Sequence, residues 1–437
     1  MQIAFLWPYA PPRIDGVSDY VCHLIRSLRQ AGHDARLITG RDQKASDSWI
    51  HPVVDRWRGK DVAAALESVP GFKPDWACLQ FVSQAYGRAG ICLSSVDIPR
   101  WLHEKTGCRV LVTFHEVAFS FEWNLKKTLL WWLSERQVQR LFRGVDAAVV
   151  TCESNAQRLK SLNFSGPVEV IPAGSNILPV EMSKEERAAL RTRYFGEGTS
   201  IFSVFGRFTT ERDYGLLLDL LKELRLKGVK AGLWMLGEMR ESNAKGYDDL
   251  MKKAEDLGVR NSICGTGRLS APDLSKHLAA SDFFVFPQLS GISTRNTTLM
   301  AALAHDLPVL SFSPRPGHFQ GYKIPRSFEV PENEKAAFGR KTAEFAAARV
   351  PAQDKSNQEY FQKHFSWDRI RSGYLEIFKI NASHSEPFAG HPERSEGSAS
   401  DKLEGQLREE STFLSPRNKK QILRQKAPQD DKRKMSS

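Results

Sequence analysis

Residues 281–312 decide the fold of this chain, and they read SDFFVFPQLSGISTRNTTLMAALAHDLPVLSF. The pattern predicts a strand at 283–286, a polar turn at 288–293, a helix over about 294–305 and a second strand at 308–312. Gly291 would allow the backbone to come close to a ligand. Ser293 or Thr294 is predicted to cap the helix, whose N-terminus suits a phosphate. An ordinary capped helix in an α/β domain is the alternative interpretation.

The same alternation of strands and helices extends over most of the chain. It predicts an α/β protein with two Rossmann-like, doubly wound parallel-sheet domains that face a cleft, covering residues 1–178 and 179–356. Further strands are predicted at 2–7, 35–39, 76–81, 110–114, 147–151, 168–171, 200–205, 230–236 and 262–265. Further helices are predicted at 18–31, 125–142, 183–193, 214–227, 243–257, 271–280, 335–348 and 357–379.

Composition describes an ordinary soluble protein and excludes several classes. The chain has 437 residues, 41% of them hydrophobic and 26% charged, with no apolar run long enough to span a membrane and no signal-peptide pattern at the start. The six cysteines form no C-x-x-C pair, which predicts free, buried thiols in a cytoplasmic protein. Residues 381–437 are polar and lack periodicity, so they are predicted to be a disordered tail.

The net charge of +11 is spread along the chain and does not form one stripe. This distribution argues against a nucleic-acid partner and fits anionic small molecules or an anionic membrane surface. Basic and aromatic residues share the segment 121–142, which could lie on a lipid interface or pack its Trp and Leu side chains into the core. Contact with the inner face of the cytoplasmic membrane therefore stays open.

Three loops that follow predicted strands carry candidate binding residues. In the first, Gly16 permits close backbone approach, and Ser18 is a candidate N-cap. In the second, Arg207 and Arg212 could grip a diphosphate through paired, charge-assisted hydrogen bonds. In the third, His115 could face the cleft and hydrogen-bond a substrate hydroxyl. The alternatives are a proline-rich connector, solvated surface arginines and a structural histidine. No metal-ligand spacing, Walker loop or Gly-x-Ser-x-Gly elbow is present.

The order of motifs in residues 1–380 resembles glycosyltransferase family 4, retaining enzymes of the GT-B fold. The motifs are PPRIDGVSDY, TFHE, GRFTTER, the GRLS turn at 267–270, AASDFFVFP and ALAHDLPVL, and FSWDRI at 365–370 looks like the family's C-terminal helix, which crosses back to the first domain. The resemblance implies a catalytic or charge-stabilising role for His115, Arg207 and Arg212. It also implies a donor site formed by Gly16, Gly206, Gly267, Arg268, Gly291, Ile292, Ser293 and Thr294.

Two departures from the family pattern concern the donor site. The family usually carries two glutamates eight positions apart, which contact the sugar and the ribose. Alignment on Leu307-Pro308-Val309 places Ser293 and Ala301 at those positions. Asp306 stands where the family favours glycine, although aspartate tolerates left-handed backbone better than most residues.

The leading hypothesis is a cytoplasmic, bacterial hexosyltransferase of polysaccharide biosynthesis. It would move a sugar from a nucleotide-diphosphate sugar to a glycan, lipid-linked or small-molecule acceptor, with retention of configuration and with neither metal nor cofactor. Because both carboxylates are missing, the alternative is a catalytically degenerate GT-B scaffold in a glycan-assembly pathway. A sugar-nucleotide epimerase or a phosphorylase is a third interpretation, but the further cleft carboxylates that an epimerase needs are not found.

Overall fold

The computed structural model describes residues 1–13, 15–87, 90–117, 125–348 and 354–380. Two parallel sheets form the framework, which confirms the predicted fold class. The first sheet contains β1 (Gln2–Leu6), β2 (Asp34–Gly40), β3 (Ile50–Val54), β4 (Trp76–Phe81), β5 (Arg109–Phe114), β6 (Ala147–Val150) and β7 (Val168–Val170). The second contains β8 (Ser200–Phe205), β9 (Ala231–Leu236), β10 (Ile263–Gly267), β11 (Phe283–Phe286), β12 (Val309–Phe312) and β13 (Ser327–Val330).

Helices cover the faces of both sheets. The first domain contains α1 (Gly16–Gln30), α2 (Gly59–Glu67), α3 (Ser83–Tyr86), α4 (Ile98–Thr106), α5 (Leu125–Leu141) and α6 (Glu153–Ser161). The second contains α7 (Lys184–Phe195), α8 (Gly215–Leu226), α9 (Met239–Ser242), α10 (Ala244–Asp256), α11 (Ala271–Ala280), α12 (Thr297–Ala304) and α13 (Phe338–Ala347). The chain then continues through α14 (Ser356–Phe365) and α15 (Trp367–Ile380), and short 3-10 helices occupy Arg260–Ser262 and Glu332–Ala337.

The strand order places a switch point in each sheet. The orders are β3-β2-β1-β4-β5-β6-β7 and β10-β9-β8-β11-β12-β13. All strands are parallel, but successive strands are added on opposite sides of β1 and β4 in the first sheet and of β8 and β11 in the second. Ligands of open parallel sheets bind beyond the carboxyl ends of the strands at such points. The loops after β1, β4, β8 and β11 are therefore where a site is expected.

Two edge strands were not predicted. β3 contains His51 and Pro52, and β13 reads Ser-Phe-Glu-Val. Each strand pairs on one side only, so polar residues and a proline are tolerated there, and the apolar pattern used for prediction is lost.

The predicted helix at 357–379 is two helices, because Ser366 adopts extended backbone between them. The second of these, α15, packs on α1 and on the first sheet. Tyr374 is fully buried there, and the Trp367 indole donates to the Ser175 carbonyl at 2.9 Å. The C-terminal end of the described chain is thus part of the core of the first domain.

Other expectations fare differently. Five cysteines are buried and all six are free, as predicted, with Cys264 partly exposed. Asp306 adopts a left-handed φ of 59°, and its carboxylate accepts the backbone N–H groups of Asn357 and Gln358 at 3.0 and 3.2 Å. The predicted tail at 381–437 and residues 121–124 of the basic, aromatic segment lie outside the described residues. Within those described, no helix is both long and apolar enough to cross a membrane.

Candidate functional site

Arg212 is the clearest anion-binding group in the second domain. It lies in the loop after β8, half-buried, where its guanidinium donates to the Phe205 carbonyl at 2.8 Å and to the Thr298 hydroxyl at 3.3 Å. The guanidinium also lies 4.9 Å from the Phe286 ring centroid. No carboxylate pairs with Arg212 in the part of the chain that the structure describes. Two bonds and a ring contact therefore hold a cation in place without neutralising it.

The first turn of α12 lies beside this arginine. Thr298 belongs to that turn, and the N-cap residue Asn296 makes no side-chain hydrogen bond to the helix. The unpaired N–H groups of a helix N-terminus favour an anion. The Arg212 guanidinium and the α12 N-terminus thus offer donors to the same ligand at the carboxyl edge of the sheet.

Arg207 and Gly206 lie at the end of the same strand. Gly206 has a φ of 128°, and a Cβ there would come 3.4 Å from an Arg212 nitrogen and 3.6 Å from the Thr298 side chain. Arg207 is exposed, and its guanidinium has no partner among the described residues, while its backbone carbonyl accepts from the Tyr214 hydroxyl at 2.9 Å. The backbone at Arg207 is fixed and its charged end is free. The structure therefore brings Gly206, Arg207 and Arg212 together, as the sequence predicted.

The predicted cap of the donor helix is wrong, because α12 begins at Thr297 and not at residue 294. Ser293 is 2% exposed and donates to the His318 carbonyl at 3.2 Å. The Thr294 hydroxyl donates to the Thr151 carbonyl, and the Thr294 carbonyl accepts from the Ala173 N–H at 2.8 Å. Thr294 therefore joins the two domains by hydrogen bonds, whereas Ser293 bonds within the second domain, and neither residue forms the N-terminus of α12.

Ile292 and Gly291 precede this segment, and their contact with a donor stays a prediction. Ile292 is 1% exposed and packs in the core of the second domain. Gly291 has a φ of 71°, and a Cβ there would lie 2.2 Å from the Ser313 carbonyl oxygen. The close approach that requires glycine in this structure is to the chain's own backbone after β12.

The two positions aligned with the family glutamates do not face the cleft. Ala301 is fully buried in the hydrophobic core of the second domain, and Ser293 is buried as described. Ser290 and Thr298 are also eight positions apart, and both are half-buried. Thr298 contacts Arg212 at 3.3 Å. Thr298 is therefore a residue beside Arg212 that sequence reasoning missed.

The Gly267–Arg268 turn ends β10. Gly267 has a φ of 62°, and a Cβ there would lie 3.2 Å from a Glu241 carboxylate oxygen. The Arg268 side chain is exposed and lies 3.8 Å from a carboxylate oxygen of Glu238, the residue after Gly237. This turn therefore follows β10 beside the residues that follow β9, at the carboxyl edge of the same sheet. Contact with a nucleobase stays a prediction.

His115 follows β5 in the first domain and is half-buried. Its Nε2 lies 2.9 Å from Gln80 Oε1, and the Gln80 amide nitrogen donates to the Thr113 hydroxyl at 3.3 Å. The Gln80 oxygen therefore accepts from His115 Nε2–H. The other ring nitrogen, Nδ1, has no hydrogen-bond partner among the described residues. Burial lowers the pKa of His115 to about 4, so the imidazole is neutral near pH 7 with a lone pair on Nδ1.

A buried polar network continues from Gln80 to the C-terminal helix. The Thr113 hydroxyl lies 2.8 Å from the Tyr374 hydroxyl, which lies 3.2 Å from the Tyr20 hydroxyl. The Tyr20 ring meets the His115 ring edge-on at 5.4 Å between centroids. Helices α1 and α15 thus both fix the imidazole orientation. A glutamine inside the apolar strand Trp-Ala-Cys-Leu-Gln-Phe was the sequence signal for this network.

Gly16 begins α1, and a Cβ built on it meets nothing within 4 Å. The predicted N-cap at Ser18 is wrong, because Asp15 caps the helix by accepting the Ser18 N–H at 2.9 Å. The Trp7 indole also donates to Asp15 at 2.6 Å. Open space at Gly16 is compatible with a ligand, while the carboxylate of Asp15 satisfies part of the helix terminus.

The arrangement offers cations and backbone donors. In the described ranges, no three His, Cys, Asp or Glu side chains lie close enough together to hold a metal ion. On the second-domain side, Arg207, Arg212 and the α12 N-terminus suit a diphosphate. A neutral imidazole lies on the first-domain side. Two Rossmann-like domains with such a site are typical of the GT-B fold.

Comparison with known proteins agrees with this class. Residues 14–177 match the model of Glycosyltransferase Family 4, and residues 199–347 match that of Glycosyl transferases group 1. The chain is 24% identical over 325 residues to the alpha-monoglucosyldiacylglycerol synthase of Streptococcus pneumoniae, covering 69% of this chain and 68% of that protein. It is 27% identical over 147 residues to the GDP-mannose-dependent alpha-(1-6)-phosphatidylinositol monomannoside mannosyltransferase of Mycolicibacterium smegmatis, covering 33% of this chain and 37% of that protein.

Solved structures share the fold at low identity. The Anabaena protein HepE, solved in complex with UDP and glucose, superimposes with a TM-score of 0.64 at 11% identity, covering 87% of this chain and 100% of HepE. The chain belongs to glycosyltransferase family 4. It is a glycosyltransferase of the hexosyltransferase type, since the relatives with sequence similarity are named glucosyl- and mannosyltransferases.

Proposed function

We propose that this enzyme transfers a hexose from a nucleotide-diphosphate sugar to a hydroxyl acceptor, with retention of configuration and without a metal ion. The observation that carries the proposal is Arg212, a half-buried cation without a carboxylate partner among the described residues, held 3.3 Å from the first turn of α12. Such a preorganised cation stabilises the charge that gathers on a leaving diphosphate. HepE, which shares the fold, was solved with UDP and glucose.

In the proposed reaction, the bond between the anomeric carbon and the diphosphate oxygen breaks. The acceptor oxygen forms its bond to the same face of that carbon, and the acceptor proton passes to the departing phosphate oxygen. Arg207 and Arg212 stabilise the negative charge of the leaving group. No step requires a protein nucleophile, a metal or a cofactor, because the arginines and the α12 N-terminus supply the positive charge.

In this proposal, His115 orients the transferred sugar. Its Nε2–H is directed to Gln80 at 2.9 Å, so Nδ1 is left to accept a hydrogen bond from a hydroxyl of the transferred sugar. A neutral imidazole can accept there and an imidazolium cannot. The lowered pKa of about 4 keeps this acceptor available throughout the neutral range.

The missing family glutamates favour a second candidate function, a scaffold that binds nucleotide or glycan without catalysis. Neither Ser293 nor Ala301 can replace a carboxylate, since both are buried. Thr298 and Ser290 have the same eight-residue spacing, but their side chains are neutral hydroxyl groups and not carboxylates. Transfer of a sugar from any nucleotide-sugar donor to an acceptor rejects the scaffold hypothesis.

Contact with a membrane is a further part of the proposal, and it concerns α5. Leu129 and Trp132 lie one turn apart on that helix and are 57% and 46% exposed. Arg136 lies 5.5 Å from the Trp132 ring centroid. Exposed apolar residues beside a basic one suit a lipid interface. The acceptor would then be lipid-linked, and flotation with anionic vesicles would carry the protein upward. Recovery of all protein in the soluble fraction rejects this part.

The test uses UDP-, GDP- and ADP-hexoses with a mixed acceptor extract, with and without EDTA. Proton NMR of the product reports the anomeric configuration through the coupling constant of the anomeric hydrogen. We expect one donor to give product whose configuration equals that of the donor, at a rate that EDTA does not change. Product of opposite configuration, or complete inhibition by EDTA that added metal reverses, contradicts the proposal.

A further inference from the structure

A cavity in the first domain lies outside the donor site. Its volume is about 490 Å³, and Arg56, Trp57, Arg58, Tyr86 and Ser95 are among its lining residues. This volume falls within the range of small-molecule sites. The lining comes from the segment after β3 and from the region after β4, so the cavity opens at the same sheet edge as His115.

The cavity is positively charged and has an aromatic wall. Arg56 and Arg58 have no ion-pair or hydrogen-bond partner for their guanidinium groups in the described ranges, and no carboxylate is among the described lining residues. Trp57 and Tyr86 meet edge-on, with ring centroids 5.5 Å apart. Arg58 immediately precedes α2, so the positive end of that helix adds to the field at the rim.

The wall is built to keep its shape. The Ser95 hydroxyl donates to the Trp57 carbonyl at 2.5 Å, which fixes the segment that carries both arginines. The Tyr86 hydroxyl donates to the Gln80 carbonyl at 2.6 Å, and the Gln80 side chain contacts His115. One residue therefore separates the cavity wall from the imidazole at the predicted transfer site.

We infer that this cavity binds the acceptor, and that the acceptor carries a phosphate ester close to its accepting hydroxyl. The inference rests on the proposed function, because it places the second substrate of the same reaction. Paired guanidinium groups bind phosphate strongly and with defined geometry. The aromatic pair supplies an apolar surface for a sugar or polyol ring. Both a phospholipid headgroup and a water-soluble sugar phosphate have this chemistry.

The test measures binding of sn-glycerol 3-phosphate, myo-inositol 1-phosphate and glucose 6-phosphate against glycerol, inositol and glucose. Titrations use the full-length protein, the Arg56→Gln/Arg58→Gln double variant and Arg143→Gln as the matched control. Arg143 is exposed, as Arg56 is, and without a side-chain partner among the described residues, but it precedes β6 at the opposite sheet edge. None of these guanidinium groups makes a hydrogen bond or an ion pair among the described residues, so the variants should fold normally. Thermal unfolding checks this.

We expect at least one phosphorylated probe to bind the wild-type protein about 10- to 100-fold more tightly than its unphosphorylated partner. The double variant should lose that preference, and Arg143→Gln should keep it. Vesicles of phosphatidylglycerol, but not of phosphatidylcholine, should compete if the source is a lipid. Lack of competition with retained soluble binding assigns a soluble phosphate.

Two results overturn the inference: no phosphorylated probe is preferred by the wild-type protein, or the double variant retains the preference. Repeating the titration with Arg212→Gln distinguishes phosphate bound in the donor cleft from phosphate bound in the cavity, because that variant leaves the cavity intact. UDP, GDP and ADP binding is measured in parallel. If the wild-type protein binds none of the three nucleotides, the proposed function is contradicted. Intact nucleotide binding without a role for Arg56 and Arg58 would reject only the acceptor site.

Discussion

Replacing Arg212 with glutamine should reduce turnover far more than it reduces stability. The guanidinium has two hydrogen bonds and no carboxylate partner among the described residues, so its charge is available to the leaving diphosphate. Two unit charges 4 Å apart interact by about 4 kcal/mol at an effective dielectric constant of about 20. Loss of one preorganised donor typically costs about 3–4 kcal/mol in the transition state. We therefore expect kcat to fall roughly 100- to 1,000-fold.

The structural cost of the same substitution should be small. Arg212→Gln leaves the Phe205 carbonyl without its side-chain donor, which costs about 1 kcal/mol. Arg225→Gln is a matched control, since Arg225 donates to the Gly258 carbonyl at 2.7 Å at the opposite edge of the sheet. It should lose similar stability and keep its activity. Arg212→Lys keeps the charge, loses the second donor and should fall between the two.

The assay is steady-state sugar transfer with kcat and KM determined separately, beside urea unfolding of each variant. An interaction made mainly in the transition state lowers kcat, whereas uniform binding changes KM alone. The reasoning is refuted if Arg212→Gln keeps kcat within about threefold of the wild type, or if Arg225→Gln loses as much activity as Arg212→Gln.

Four further predictions concern groups in the site and elsewhere in the fold. Gln80→Glu should raise the pKa of His115 from its value of about 4, as followed by NMR titration, and an unchanged pKa would show that the contact is not felt. Because the folded-state pKa of His115 lies below 6.5, its neutral form adds stability above pH 6.5 that is lost as pH falls towards 4; His115→Asn should remove that pH dependence of urea unfolding. Gly291→Ala, whose Cβ would lie 2.2 Å from a backbone oxygen, should cost at least about 2 kcal/mol in urea unfolding, while Gly32→Ala, with open space, should cost only about 1–2 kcal/mol of backbone strain; equal costs contradict the clash. Asp306→Gly should lower the free energy of unfolding by about 1–3 kcal/mol, because three backbone N–H groups at the start of α14 lose their acceptor; a gain in stability would show that relief of the left-handed backbone dominates.

The fold could be predicted because its strands are short apolar runs between clear helix patterns. β11 consists of Phe283, Phe284, Val285 and Phe286, all buried, and such a run has few alternatives beside an amphipathic helix. Of the four edge strands, β7 and β10 were predicted, whereas β3 and β13 escaped prediction because His51 with Pro52 and Ser327 with Glu329 interrupt their apolar pattern. Burial sets the apolar pattern, and edges are less buried.

The candidate site was only partly predictable, and the loop at 288–296 shows why. Ser293 has the local properties of an N-cap, but its N–H donates to Asn296 at 2.6 Å and its hydroxyl to His318 at 3.2 Å. Thr294 is bound to the other domain through Thr151. These partners lie 3 to 143 positions away in the sequence, and the most distant one, Thr151, is set by how the domains meet. No local propensity encodes that contact.

Arginines at strand ends were easier to place than their roles. Arg207 and Arg212 were predicted together because both follow one strand, and parallel strands end at one sheet edge. Arg56 and Arg58 were not noticed, since the strand before them was not predicted. Gln80 was overlooked inside β4, where a polar side chain without a visible partner signals a buried network.

Calorimetric titration with UDP, GDP and ADP tests the central claim most directly, using the wild-type protein and Arg212→Gln. We predict that one nucleoside diphosphate binds and that the variant binds it at least about tenfold more weakly, since a charge-assisted contact to phosphate is lost. Absence of binding by all three nucleotides, or equal binding by the variant, would contradict a donor site built on Arg212 and the first turn of α12.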